Sequence, residues 1–296
     1  GGIGLSGAGA SSTNRVSAHV KAAIDGTDPD SDGTGSLGIL ADGISVTASD
    51  LSTIDAFTGS ASVAVGLGAL GAAISVGVSL AQNEVHNSVT ASISNAAADG
   101  QSVKTRNGGD ITISATESAT IKATGVAASA ALGGGLVGVG LAGAGIDVVN
   151  VVRSKTNAFI DNAIVGTDGG GSAAVNAGGD IAVTATDNSS INAEVQALAG
   201  AAALGVVAGA VAVGVADARN YIGYSVSGVA DAVEVQAYVK DSSIDAVGAL
   251  SLTADGDATI SASVAAATLA VGGGAVAISG AGAGSTSQNR VKTKVR

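Results

Sequence analysis

Apolar and polar residues alternate along most of the chain, and the alternation restarts in the same order four times. A period of two puts successive side chains on opposite faces of a strand, so the pattern predicts β-structure and no helix. The first strand of each unit reads Ile44-x-Val46-x-Ala48, Ile111-x-Ile113-x-Ala115, Ile181-x-Val183-x-Ala185 and Leu250-x-Leu252-x-Ala254. The second opens on Ile54-x-Ala56, Ile121-x-Ala123, Ile191-x-Ala193 or Ile260-x-Ala262 and continues through alternating small residues. A glycine-rich break follows, clearest at Gly133-Gly134-Gly135 and Gly272-Gly273-Gly274, and then a third strand of Ala, Gly and Val. The fourth begins at a recurring asparagine, Asn14, Asn83, Asn150, Asn220 and Asn289, with spacings of 69, 67, 70 and 69.

From the first residue of strand one to the next of these asparagines is 39 residues in all four units. Length varies between Ile24, Ile93, Ile160 or Ala230 and the following strand one, 20, 18, 21 and 20 residues, which predicts a single variable surface connection on a rigid scaffold. Four strand sets in fixed order, with no helix to serve as a crossover, predict an all-β parallel β-solenoid (β-helix) built of these repeats and filling residues 1–296 as one segment. Two coil sizes fit. Three coils of roughly 23 residues per repeat would match ordinary solenoids, yet no sub-repeat of that length carries the motifs. One unusually large, lobed coil per repeat is favoured, because it would stack the five asparagines about 4.8 Å apart, within reach of an amide-to-amide ladder.

Composition changes the picture of the interior. The 296 residues include 46 Gly and 61 Ala but only five aromatics, one Pro and no Cys, Met or Trp. A core of that kind must be thin, with backbones close together. A hydrophobic share of 46% against 12% charged argues against disorder. The missing cysteines exclude disulfides, thiolate nucleophiles and Cys-ligated zinc. A net charge of −11 argues against nucleic-acid or anionic-membrane partners.

Tandem units that combine Gly-Val-Gly-x-Ala runs, an asparagine-initiated strand and a Gly-Asp-Ile strand (109–115 and 179–185) resemble the repeats of very large secreted bacterial adhesins of the filamentous-haemagglutinin and leukotoxin-like type. The resemblance covers the whole chain in repeat style and includes no catalytic motif. It implies an extracellular or cell-surface stalk or passenger segment, without enzymatic activity, that projects a distal binding region toward a host or surface receptor. Its partners within this segment would be the neighbouring repeats. The chain starts inside a third-strand region and stops inside a strand begun at Asn289, so a fragment of a longer array is expected.

Several local motifs invite chemistry. Asp28-Pro29-Asp30-Ser31-Asp32-Gly33 matches the opening of a calcium loop, with Asp28, Asp30 and Asp32 as candidate Ca²⁺ ligands, although Ile39 occupies the twelfth position where an EF-hand has Glu. The competing reading is a solvated acidic loop. Asp50, Glu117 and Asp187 recur at the end of strand one; the favoured expectation is that the loop splays them into water, the alternative that cations bridge them. Gly66-x-Gly68-x-x-Gly71 and Gly138-x-Gly140-x-x-Gly143 match the dinucleotide fingerprint as strings only, lacking the helix it needs. The uncharged runs 126–146 and 195–216 are long enough to resemble membrane helices. Their period of two and their phase in the repeat predict strands buried on both faces and no membrane insertion. His19 and His86 lie on the asparagine-initiated strand with no recurring nucleophile beside them and are expected at the surface.

Two other functions fit parts of the pattern. Ser45, Thr47, Ser49, Thr112, Ser114, Thr116, Thr184, Thr186, Ser251 and Thr253 form the polar face of strand one, and in register they would make a flat hydroxyl array of the kind that binds ice or another ordered surface. A polysaccharide-binding β-helix is the second alternative, disfavoured by the scarcity of aromatics for stacking sugars.

Overall fold

The computed structural model describes residues 1–26, 38–97, 102–167 and 179–296. In chain order the strands are β1 (Gly2–Val16), β2 (His19–Asp25), β3 (Ile39–Ala41), β4 (Ile44–Asp50), β5 (Thr53–Leu67), β6 (Leu70–Ala96), β7 (Val103–Thr105), β8 (Ile111–Glu117), β9 (Thr120–Gly134) and β10 (Val137–Gly166). They continue as β11 (Ile181–Asp187), β12 (Ser190–Leu204), β13 (Val207–Ile222), β14 (Val233–Lys240), β15 (Ser243–Asp245), β16 (Leu250–Gly256), β17 (Thr259–Gly273), β18 (Val276–Val291) and β19 (Thr293–Val295). The described residues contain no helix, and the fold is all-β with parallel sheets.

Each strand lies beside its own equivalent in the next unit. β4, β8, β11 and β16 form one four-stranded sheet and β5, β9, β12 and β17 another, while β1, β6, β10, β13 and β18 run through the largest sheet. The register follows the motifs: Ile44 pairs with Ile111, Ile111 with Ile181 and Ile181 with Leu250. Likewise Asn14 pairs with Asn83, Asn83 with Asn150, Asn150 with Asn220 and Asn220 with Asn289. Parallel pairing by a whole repeat puts identical positions in files and sends side chains of one kind to one face.

Within a unit the chain runs out along strands such as β8 and β9, reverses at a glycine-rich turn, and returns along one long strand such as β10. The outgoing and returning layers face each other. Near the turn they almost touch: a Cβ added to Gly133 would lie 2.1 Å from the Val139 carbonyl oxygen, and one added to Gly66 would lie 1.9 Å from that of Ala72. Only hydrogen fits at these two positions, which accounts for their glycines, and the narrow space beside them is filled by small residues such as Ala64, Ala73 and Ala131. Farther from the turn the interior widens to hold branched residues, and Ile111, Ile113, Ile121, Ile160, Ile181 and Ile191 are fully buried.

A second bend recurs where the returning strand ends. Gly26, Asn95, Asn162 and Asp241 are equivalent by register and all have positive φ, from 47° to 70°. That left-handed conformation is open to Gly and tolerated by Asn and Asp. The Asn95 amide donates to Asp25 of the preceding unit at 2.7 Å, tying one bend to the next.

Two sequence expectations are corrected here. Ala230 is not the equivalent of Ile160; Val239 is, because β14 pairs with β10 through Ile160 and Val239. The fourth unit carries extra residues between β13 and β14 and a correspondingly short path from β14 to β16, so length variation is not confined to one connection. This added backbone covers a patch of Val149, Val151 and Tyr221 with Tyr224 and Val226. The second correction concerns the uncharged runs: they are strands, but buried on one face only. In the middle of the stack Leu198 is 44% exposed and Val213 48% exposed, on opposite outer faces.

Candidate functional site

Two files of polar side chains run through the stack. The first begins at the recurring asparagine, where the returning strand turns this position inward between its alternating neighbours. Asn14 Nδ2 donates to Asn83 Oδ1 at 2.8 Å, Asn83 to Asn150 at 2.8 Å, Asn150 to Asn220 at 2.8 Å and Asn220 to Asn289 at 2.9 Å. Asn83, Asn150 and Asn220 have no exposed surface. Each buried amide thereby both donates and accepts along the file, which removes the main penalty for burying it. The geometry holds neighbouring units in one register: a slip by one residue would swap the inward and outward faces and strand every amide.

The second file is acidic. β4, β8 and β11 end in Asp50, Glu117 and Asp187, which are paired in register at the corner leading into β5, β9 and β12. The structure contradicts the expectation that they splay into water: Glu117 is fully buried and Asp187 is 1% exposed. They turn inward because the returning strand supplies donors. Asn87 Nδ2 donates to Asp50 at 2.6 Å and to Glu117 at 3.0 Å, and its Oδ1 accepts the Ala18 backbone N–H at 2.9 Å. Asp187 accepts the Ser154 hydroxyl at 2.6 Å, the Ser189 hydroxyl at 2.6 Å and the Ser189 N–H at 3.1 Å. Glu117 fares worse, since its Oε2 has no hydrogen-bond partner. Burial, with Asp50 and Asp187 on either side, pushes its carboxyl up to about 8, against the pull of the Asn87 hydrogen bond. Glu117 therefore keeps its proton near neutral pH. In the fourth unit the file stops at Gly256, where an added Cβ would meet Val295 and Val235 instead of polar groups.

A second set of carboxylates explains the Gly-Asp-Ile string. Asp110 Oδ1 accepts the Asp180 N–H at 2.8 Å, and Asp180 Oδ1 accepts the Ala249 N–H at 2.7 Å, so each aspartate caps the start of the next unit's strand. The glycine before it is fixed by contact, because a Cβ on Gly109 would lie 1.5 Å from the Asp42 carbonyl oxygen. Asp42 itself sits beside Arg106, whose guanidinium, 2.7 Å away, holds the carboxyl below its usual range.

The remaining sequence candidates separate. Asp28, Asp30 and Asp32 lie outside the described residues. Among the described residues no cluster of three or more His, Cys, Asp or Glu is arranged to hold a metal ion. His19 and His86 are exposed. Thr47, Ser114, Thr184 and Thr253 stand in one register file on the outer face of the sheet of β4, β8, β11 and β16. Among the described residues no helix is long and apolar enough to cross a membrane. What sequence reasoning missed is the partnership between Asn87 or Ser154 and the carboxylate file, since those residues lie 30 to 37 positions away in sequence and are brought together only by the fold of a unit and its stacking on the next. Comparison with protein families, curated proteins and solved structures finds no match to this chain.

Proposed function

We propose that the chain is a β-solenoid scaffold segment of a secreted or cell-surface bacterial adhesin, with one large lobed coil per repeat and no catalytic role. The observation that supports this reading best is the register, in which every motif pairs with its own copy one repeat away and an amide ladder, buried at Asn83, Asn150 and Asn220, spans all five asparagines. Backbone hydrogen bonds then run along the stacking axis, and stability is a sum over coils and their interfaces. Such a body resists separation of its coils because all ladders across an interface must fail together. In the full protein it would hold a distal binding region away from the cell.

Solution scattering tests the coil reading. Four large coils at ~4.8 Å each give a stack about 20 Å deep, whereas a dozen small ones give a rod about 60 Å long. Antibodies to the chain test the location: they should label intact source cells, with the label removed by mild external proteolysis, and label only after permeabilisation overturns the adhesin reading. Calcium at Asp28, Asp30 and Asp32 is tested by melting with and without a chelator, where an unchanged transition removes the site. A second reading, an ice-binding surface, draws on the Thr47, Ser114, Thr184 and Thr253 file. Absence of thermal hysteresis dismisses it.

A further inference from the structure

We propose that the glycine-turn end of the stack is a lipid-contacting lobe that dips into a zwitterionic phospholipid surface. From Ala56 to Asn83, Ala123 to Ile146, Val195 to Ala216 and Ala258 to Asn289 the chain has no Asp, Glu, Lys, Arg or His. Those segments are the two legs of each unit nearest the turn. Toward the turn their inward positions are small, and large apolar residues point out on both faces: Ile74, Val76, Val78, Leu141, Val211, Val213 and Val215 on the returning side, Val63, Leu132 and Leu198 on the outgoing side.

Four observations favour lipid over a protein partner. Both faces and the turn between them are apolar, so a dimer through one face would leave the other bare, whereas hydrocarbon surrounds all three at once. The turn is closed to water demand: Gly68 N–H donates to Gly134 O at 3.0 Å, Gly135 to Leu204 at 3.0 Å and Gly205 to Gly273 at 2.9 Å, so interior turns leave those donors satisfied without solvent. The apolar zone ends at one level on both faces. Ser79 donates to Ser60 across the interior, which brings Asp55 on the outgoing leg level with Glu84 on the returning one. On the returning leg the rim charges are paired, Arg219 with Asp147 and Asp217 at the level of Leu80 and, four residues farther from the turn, Glu84 with Arg15 and Arg153, a balanced set that complements phosphocholine headgroups better than anionic ones. Finally, an open trough lined by Val63, Ala130, Leu198, Gly200 and Leu269 crosses the outgoing face and suits an acyl chain.

Flotation of the intact chain with phosphatidylcholine vesicles tests this. The chain should rise with the vesicles, and Val213→Glu and Leu198→Glu, on opposite faces, should each lower the bound fraction at least about tenfold. Thr184→Glu, outward on the sheet of β4, β8, β11 and β16, should leave it unchanged. Circular dichroism confirms folding, and the two faces provide independent variants if one misfolds. Failure of the wild-type chain to float overturns the proposal, as does flotation that neither face variant reduces. A discrete oligomer in lipid-free buffer that Val213→Glu dissociates assigns the surface to a second copy and also overturns it. None of these outcomes alters the coil reading, which scattering decides separately.

Discussion

The two halves of each unit bury opposite chemistry. Away from the glycine turn the interior holds Ile111, Ile113, Ile181 and Val183, while Ser114 and Thr184 face out. Near the turn the interior holds Ala127, Ala131, Ala201 and Ala210, while Leu141, Leu198 and Val211 face out. The same backbone and the same pairing serve both. What differs is the separation of the layers: where it is wide, branched side chains fill it, where carbonyl oxygens approach within contact of a bare Cα only glycine fits, and between these the narrow space takes alanine and serine. Spacing therefore overrides the usual preference for large apolar residues inside, and the bulk is displaced to the surface.

The wide half should be the more sensitive to lost volume. Ile181→Ala, fully buried, is expected to cost about 4 kcal/mol in chemical denaturation. The narrow half should instead reject gained volume: Gly133→Ala is expected to cost about 2 to 3 kcal/mol. Val211→Ile, the same gain of one carbon on its outer face, should cost about 0.5 kcal/mol or less. If Gly133→Ala is silent, the layers are not in contact and the contrast fails. At the boundary between the halves, Asn150→Ala leaves the Asn83 donor and the Asn220 acceptor buried and unpaired, an expected loss of about 2 kcal/mol. An unchanged melting temperature would remove the ladder from the account of coil stacking.

A further expected effect depends on pH and belongs to the wide half alone. Glu117 has its folded pKa raised from 4.5 to about 8, so between those values the folded chain holds a proton that the unfolded chain has released. The contribution to stability is complete below about pH 4.5 and declines as pH rises toward 8. Melting temperature should fall over that range, and Glu117→Gln, whose amide stays neutral, should flatten the dependence. A wild-type profile identical to that of the variant would show that Glu117 does not titrate late.

Strand content, parallel stacking and the asparagine register were legible because a period of two and a fixed 39-residue spacing leave few other arrangements. The orientation of the narrow half was not. Alternating Ala and Val reads as apolar on both faces, and only the distance between layers decides which one is hidden. Burial of Glu117 was equally out of reach, since a carboxylate at a strand end is ordinarily solvated and its partner Asn87 belongs to another strand. The mistaken equivalence of Ala230 has a simple origin: the additional residues after β13 are offset by a shorter connection before β16, so the overall spacing of 69 concealed both changes.

Whole-repeat pairing has a consequence for the gene. Because each unit meets only its two neighbours and presents the same files to both, recombination between repeats that removes or duplicates one complete unit rejoins Asn to Asn and Ile to Ile without a register error. A deletion of one codon within a strand of the 39-residue block has no such escape, because every residue of that strand beyond it moves to the opposite face. Copy number is thus expected to vary among close relatives in whole units, with small insertions and deletions gathered outside that block, as the residues between β13 and β14 already illustrate.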